Sequence, residues 1–124
     1  MADQKKVLIV EDDEFLRALT AKRLEKEDYA VVVAVDGESV LTQATDNHPD
    51  IILLDLLLPG LNGFEVLEKL KANDTLKHIP IIVFSNLGQK EDVERAKKLG
   101  ANDFLIKANF TLDDVVIKIK EILK

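Results

Sequence analysis

The chain has 124 residues and a mass of 13.9 kDa, with 47% hydrophobic and 32% charged residues and a mean hydropathy of +0.01, the balance of one globular domain with its own core. It has no cysteine, which excludes disulfides, thiol catalysis and cysteine-ligated metal centres. A formal net charge of −6 disfavours non-specific attraction to nucleic acid or anionic lipid, and no apolar run approaches a membrane span, so a cytoplasmic protein with no direct nucleic-acid or membrane partner is expected.

Short apolar runs alternate with amphipathic stretches along the chain. The first run, Val7-Leu8-Ile9-Val10, reads as a strand and ends in Glu11-Asp12-Asp13. Leu16, Leu19 and Leu24 then mark a first helix. Residues 30–35, Ala-Val-Val-Val-Ala-Val, form the second strand, followed by a weakly apolar helix around Ser39 to Thr45. Ile51-Ile52-Leu53-Leu54 is the third strand and runs directly into Asp55. After a loop carrying Pro59, Gly60 and Gly63, the residues Val66, Leu67 and Leu70 mark the third helix. Residues 79–84 give the fourth strand, ending at Ser85, and residues 91–98 a fourth helix that is polar enough to be largely exposed. Phe104-Leu105-Ile106 is the fifth strand, ending at Lys107. The final helix places Leu112, Val115, Val116, Ile119, Ile122 and Leu123 on one stripe, behind a capped start at Thr111.

Continuous β-branched runs indicate strands buried on both faces, as in parallel sheets. Five strands alternating with five helices give an α/β fold, (βα)5, doubly wound, with a five-stranded parallel sheet in the order 2-1-3-4-5. Residues 1–124 are expected to form a single domain with no output domain in this chain. In such sheets the functional site lies beyond the carboxyl ends of the strands, where the order reverses between strands 1 and 3. That rule gathers Asp12, Asp13, Asp55, Ser85 and Lys107 on one edge.

Two carboxylates about 4 Å apart repel by roughly 4 kcal/mol at an effective dielectric near 20. A cluster of three therefore needs a raised pKa or a cation, and aspartate oxygens are hard ligands suited to Mg²⁺. Taken singly, Asp12 or Asp13 could equally cap the first helix, Ser85 could be a turn residue, and Lys107 could be solvated surface. Asp55 is different, because four apolar residues precede it and three leucines follow, so it is either buried at cost or functional. His48 and His78 lie in loop contexts beside Pro49 and near Pro80 and read as surface residues.

In its order and spacing, the set Val7-Leu8-Ile9-Val10-Glu11-Asp12-Asp13, Asp55, Leu58-Pro59-Gly60-Leu61-Asn62-Gly63-Phe64-Glu65, Ser85 and Phe104-Leu105-Ile106-Lys107 resembles the receiver domain of two-component response regulators. The resemblance implies a flavodoxin-like three-layer sandwich and a phosphorylation-controlled switch, not an enzyme acting on a separate substrate. Asp55 would accept a phosphoryl group from a sensor histidine kinase or a phosphotransfer protein. Asp12 and Asp13, the latter more directly, would hold Mg²⁺ with Asp55 and the backbone carbonyl of Leu57. Lys107 would neutralise phosphoryl oxygens, Ser85 would donate its hydroxyl to one of them, and Phe104 would occupy the aromatic switch position. An output partner would meet the face of helix 4, strand 5 and helix 5, and dimerisation on phosphorylation is a further family expectation.

Three positions depart from the family pattern. Lys107 is followed by Ala108 where proline is usual, so either a trans bond with a shifted loop or a strained cis bond is expected, a non-proline cis bond costing about 2.5–4 kcal/mol. Asn86 replaces a residue that is commonly small, and Asn62 stands where aspartate is usual. Leu57 and Leu87 occupy positions that tune hydrolysis in the family, and being apolar they cannot position an attacking water, which implies a long-lived phosphoryl group. Two other readings stay open at this level: a degenerate receiver acting as a constitutive interaction module, and a phosphohydrolase with an aspartate nucleophile.

Overall fold

The computed structural model describes residues 4–124. The elements run β1 (Lys6–Val10), α1 (Glu14–Lys26), β2 (Ala30–Ala34), α2 (Gly37–Asn47), β3 (Ile51–Leu54), α3 (Gly63–Ala72), β4 (Ile81–Ser85), α4 (Lys90–Lys98), β5 (Asp103–Ile106) and α5 (Leu112–Ile122), with a 3-10 turn over Lys107–Asn109. All strand pairs are parallel and the order is β2-β1-β3-β4-β5, as the alternation of runs implies.

Because side chains alternate along a strand, each apolar run feeds both faces of the sheet. Leu8, Val10, Ile52, Leu54, Ile81 and Val83 point to one side, where they meet Val40 and Ala44 of α2, Val66, Leu67 and Leu70 of α3, and Ala96 of α4. Val7, Ile9, Ile51, Leu53, Ile82 and Phe84 point to the other, against Leu24 of α1 and Val115, Val116 and Ile119 of α5. The result is three layers with two cores. β2 is the exception to burial on both faces: it is an edge strand, and Val33 is 41% exposed.

Helix α1 differs from its sequence reading. Leu19 lies on the outer face at 44% exposure, and the buried positions are Thr20 and Leu24, one turn apart. Thr20 is tolerated inside because its hydroxyl donates to the Leu16 carbonyl at 2.8 Å. Four helices start on a side-chain cap, from Asp13, Asp36, Asn62 and Thr111, the last forming a reciprocal capping box with Asp114. Helix α4 starts at Gln89 without one and buries Ala96 alone, in line with its polar sequence. His48 and His78 are exposed, as expected. Among the described residues no peptide bond is cis, so the Lys107–Ala108 bond is trans and the chain leaves β5 through the 3-10 turn.

Candidate functional site

The carboxyl ends of β1 and β3 are paired through Val10 and Leu54, so the residues that follow these two strands are neighbours across the sheet edge. The Asp55 amide donates to the Val10 carbonyl at 3.1 Å and the Glu11 amide to Ala34 at 3.1 Å, extending the ladder into the acidic residues. Glu11 and Asp55 are buried at 5% and 4% exposure, while Asp12 and Asp13 face solvent.

Two polar side chains, Ser85 and Lys107, and one backbone amide converge on Asp55. Its Oδ1 accepts the Ser85 hydroxyl at 2.7 Å and the Leu57 amide at 3.0 Å, and its Oδ2 accepts the Lys107 ammonium at 2.7 Å. Lys107 Nζ also donates to Glu11 Oε1 at 2.6 Å, bridging the two buried carboxylates. Burial pushes the Glu11 carboxyl above its ordinary pKa, with the Asp55 charge adding to that rise and the Lys107 and Asp13 hydrogen bonds opposing it. Burial alone would lower the Lys107 pKa, but its bonds to Asp55 and Glu11 outweigh that and raise it, keeping the ammonium charged. Ser85 is wholly buried at the end of β4, where its hydroxyl donates to Asp55 and accepts the Leu87 amide at 3.4 Å. Below the acids the pocket is closed, since the space among Ile9, Val10, Leu53, Thr20 and Phe84 is only about 10 Å³.

One carboxylate oxygen from each of Glu11, Asp12 and Asp55 lies within 4.8 Å of the other two. This trio supplies hard oxygen donors at the spacing a divalent cation needs, and it fits Mg²⁺ by donor chemistry. Asp13 lies outside it. Its Oδ1 accepts the Leu16 amide at 2.9 Å and caps α1, so its carboxylate serves the helix, and Glu11 takes the place in the cluster that Asp13 was expected to hold. Glu11 fixes the turn in addition, its Oε2 accepting the Asp13 amide at 3.1 Å. The run of three acids hid this assignment: α1 starts at Glu14, so the residue before it, Asp13, is its cap.

The loop after β3 places the rest of the edge. Gly60 has φ +73, the left-handed conformation glycine adopts without strain. Gly63 opens α3 so close to the strand end that an added Cβ would lie 2.3 Å from Leu56 Cα and 2.9 Å from the Asp55 carbonyl oxygen. Asn62 caps α3, accepting the Glu65 amide at 3.1 Å. Phe104 of β5 is buried at 8% exposure in the core beneath α4. Asn86 is exposed, and Leu57 presents half of its surface to solvent.

Known proteins share this architecture. The family model of the response regulator receiver domain matches residues 7–120. Response regulator PleD of Caulobacter vibrioides is 39% identical over 112 residues, covering 90% of this chain and 24% of that protein. The phosphate regulon transcriptional regulatory protein PhoB of Escherichia coli is 32% identical over 120 residues, covering 97% of this chain and 52% of that protein. The chain thus spans about a quarter to a half of the length of these relatives. Among solved structures, a CheY-like response regulator receiver domain protein from Methanospirillum hungatei superposes with a TM-score of 0.90 at 28% identity, covering 98% of this chain and 94% of that one. Chemotaxis protein CheY4 of Vibrio cholerae gives a TM-score of 0.89 at 26% identity, covering 96% and 98%. By sequence and by fold alike, the chain belongs to the response regulator receiver domains of two-component signalling.

Proposed function

We propose that Asp55 is the phosphoacceptor of this receiver and that its modification switches a partner-binding surface. The observation that carries the reading is the convergence of Ser85, Lys107 and the Leu57 amide on one buried carboxylate beside a second acidic pair. A carboxylate kept in place by three donors is oriented for attack, and the same donors face the position where a phosphoryl group would sit. In the transfer, an Asp55 oxygen forms a bond to phosphorus as the bond from phosphorus to the donor histidine nitrogen breaks, and the donor leaves with its electron pair. Lys107 is placed to neutralise one phosphoryl oxygen and Ser85 to donate its hydroxyl to another.

Glu11, Asp12 and Asp55 would hold Mg²⁺, with the Leu57 carbonyl as a further ligand. The Leu57 backbone lies in the turn that the Asp55 side chain closes on itself, which supports that placement. Bound there, Mg²⁺ supplies positive charge for phosphoryl oxygens. Asp13 serves as the α1 cap in this reading and not as a ligand.

The phosphodonor is a histidine kinase or a phosphotransfer protein, and the protein works in the cytoplasm. No described helix is long and apolar enough to cross a membrane, which agrees with this. Ser85 and Phe104 are the switch pair: drawing Ser85 onto a phosphoryl oxygen moves the β4–α4 connection, and Phe104 packs beneath the helix that follows. The face of α4, β5 and α5 is the proposed output surface, with a dimer on phosphorylation as one form of output. Incubation with Mg²⁺ and acetyl phosphate followed by intact mass tests the assignment. One phosphate adduct is expected, absent in Asp55→Ala; no adduct in the wild-type protein, or an undiminished one in the variant, overturns it.

A further inference from the structure

The carboxylate of Asp12 accepts no hydrogen bond among the described residues, whereas Glu11 and Asp55 are each held by Lys107. Its placement therefore depends on the backbone of the β1–α1 turn. That backbone is gripped from α1 by Arg17, whose Nη1 donates to the Glu11 carbonyl at 3.0 Å and, at a longer 3.4 Å, to the Asp12 carbonyl. We propose that Arg17 is a positioning residue for the cation site, clamping the two carbonyls of the acidic turn so that Asp12 presents its carboxylate beside Glu11 and Asp55. The inference rests on the Mg²⁺ reading given above.

The anchoring is well suited to this task. Arg17 is one turn into α1, and its own amide donates to the Asp13 carbonyl at 2.9 Å, so the guanidinium springs from a helix whose start the Asp13 cap already fixes. A single guanidinium nitrogen, Nη1, reaches both adjacent carbonyls, and the flexible stem of a Lys would hold its ammonium there less firmly. The carbonyls of Glu11 and Asp12 are thereby tied to a side chain of α1.

Charge and geometry predict opposite signs here, which makes the role testable. Acting through space alone, a cation near the site repels Mg²⁺, and its removal tightens binding. Acting by position, its removal loosens the turn and weakens binding, by about tenfold for a residue supporting a metal ligand. Calorimetric Mg²⁺ titration of the wild-type protein, Arg17→Gln and Arg17→Lys reads this directly, with thermal melting in EDTA as the control for folding. The expected result is about tenfold weaker binding in Arg17→Gln, an intermediate loss in Arg17→Lys, and metal-free melting temperatures within a few degrees of the wild type. Unchanged or tighter Mg²⁺ binding in Arg17→Gln overturns the proposal. Should that variant fail to fold, Arg17→Lys decides alone, wild-type affinity overturning the proposal and weaker affinity supporting it. A wild-type protein that takes up no Mg²⁺ overturns the underlying cation reading, a result distinct from both.

Discussion

Glu11 pays for its place at the site in desolvation, and the sign of that cost can be read against pH. Its pKa is raised above the ordinary 4.5 in the folded chain, first by burial and further by the Asp55 charge. A folded-state pKa above the unfolded one means that the native state binds more protons in the window between them. The contribution to stability is fully present below 4.5 and is lost as pH rises through the folded pKa. In EDTA at pH 7, Glu11→Gln is therefore expected to raise the urea midpoint, and the gain should shrink to nothing as the pH falls toward 4.5. A gain that stays constant across that range would show that the ionised carboxylate is not the source. Leu57 sets a second expectation at this scale. Its side chain is half exposed beside Asp55 and offers no hydrogen-bonding group to an attacking water. The phosphoryl group on Asp55 should persist well beyond seconds, and Leu57→Asn should shorten its lifetime several-fold in a phosphate-release time course.

Among the elements, α4 is attached most lightly. It has no side-chain cap, fully buries only Ala96 with Val93 partly buried against the same core, and its Arg95 guanidinium stacks 4.2 Å over the Phe64 ring of α3. By contrast α3 buries Phe64, Val66, Leu67 and Leu70 behind the Asn62 cap. A helix with few buried apolar contacts opens at low free energy, and the switch proposed above draws its moving segment from that end of the range. Amide hydrogen exchange should find residues 93–98 the least protected helical stretch of residues 4–124, and Arg95→Ala should speed their exchange further without affecting α3. Equal protection of α3 and α4 would remove α4 as the mobile element. This ranking was legible in the sequence, since residues 90–98 carry few apolar side chains. So were the strands and Asp55, because a charged residue interrupting seven apolar ones is expensive unless it is used. What could not be read was the assignment within Glu11-Asp12-Asp13, where three acids in a row fit the pattern equally well. It depends on the rotational phase of α1, and Leu19, apolar yet exposed, points to the wrong phase.

At the scale of the whole molecule, a single five-stranded sheet separates two cores, and the edge that carries the acids draws on both. Val10 and Leu54, which precede Glu11 and Asp55, belong to the core under α2, α3 and α4, whereas Ile9, Leu53 and Phe84 belong to the one under α1 and α5. The site therefore depends on both cores, and the sequence supplies a probe of whether they melt together. The chain has no tryptophan and a single tyrosine, Tyr29, which packs on the α1 and α5 side. Ile79, 2% exposed, lies in the opposite core, and Ile119, wholly buried, in the same one as Tyr29. Ile→Val at a buried site costs about 0.5–1.5 kcal/mol, and distant sites of this kind add. If the sheet couples its two faces into one cooperative unit, Ile79→Val should shift the Tyr29 fluorescence transition in urea as far as it shifts far-UV circular dichroism, although the tyrosine is on the other side. Ile119→Val should shift both probes by a comparable amount, and the double variant by the sum. A Tyr29 transition that ignores Ile79→Val would mean that the two cores unfold separately, and the acidic edge between them would then be held by one face at a time.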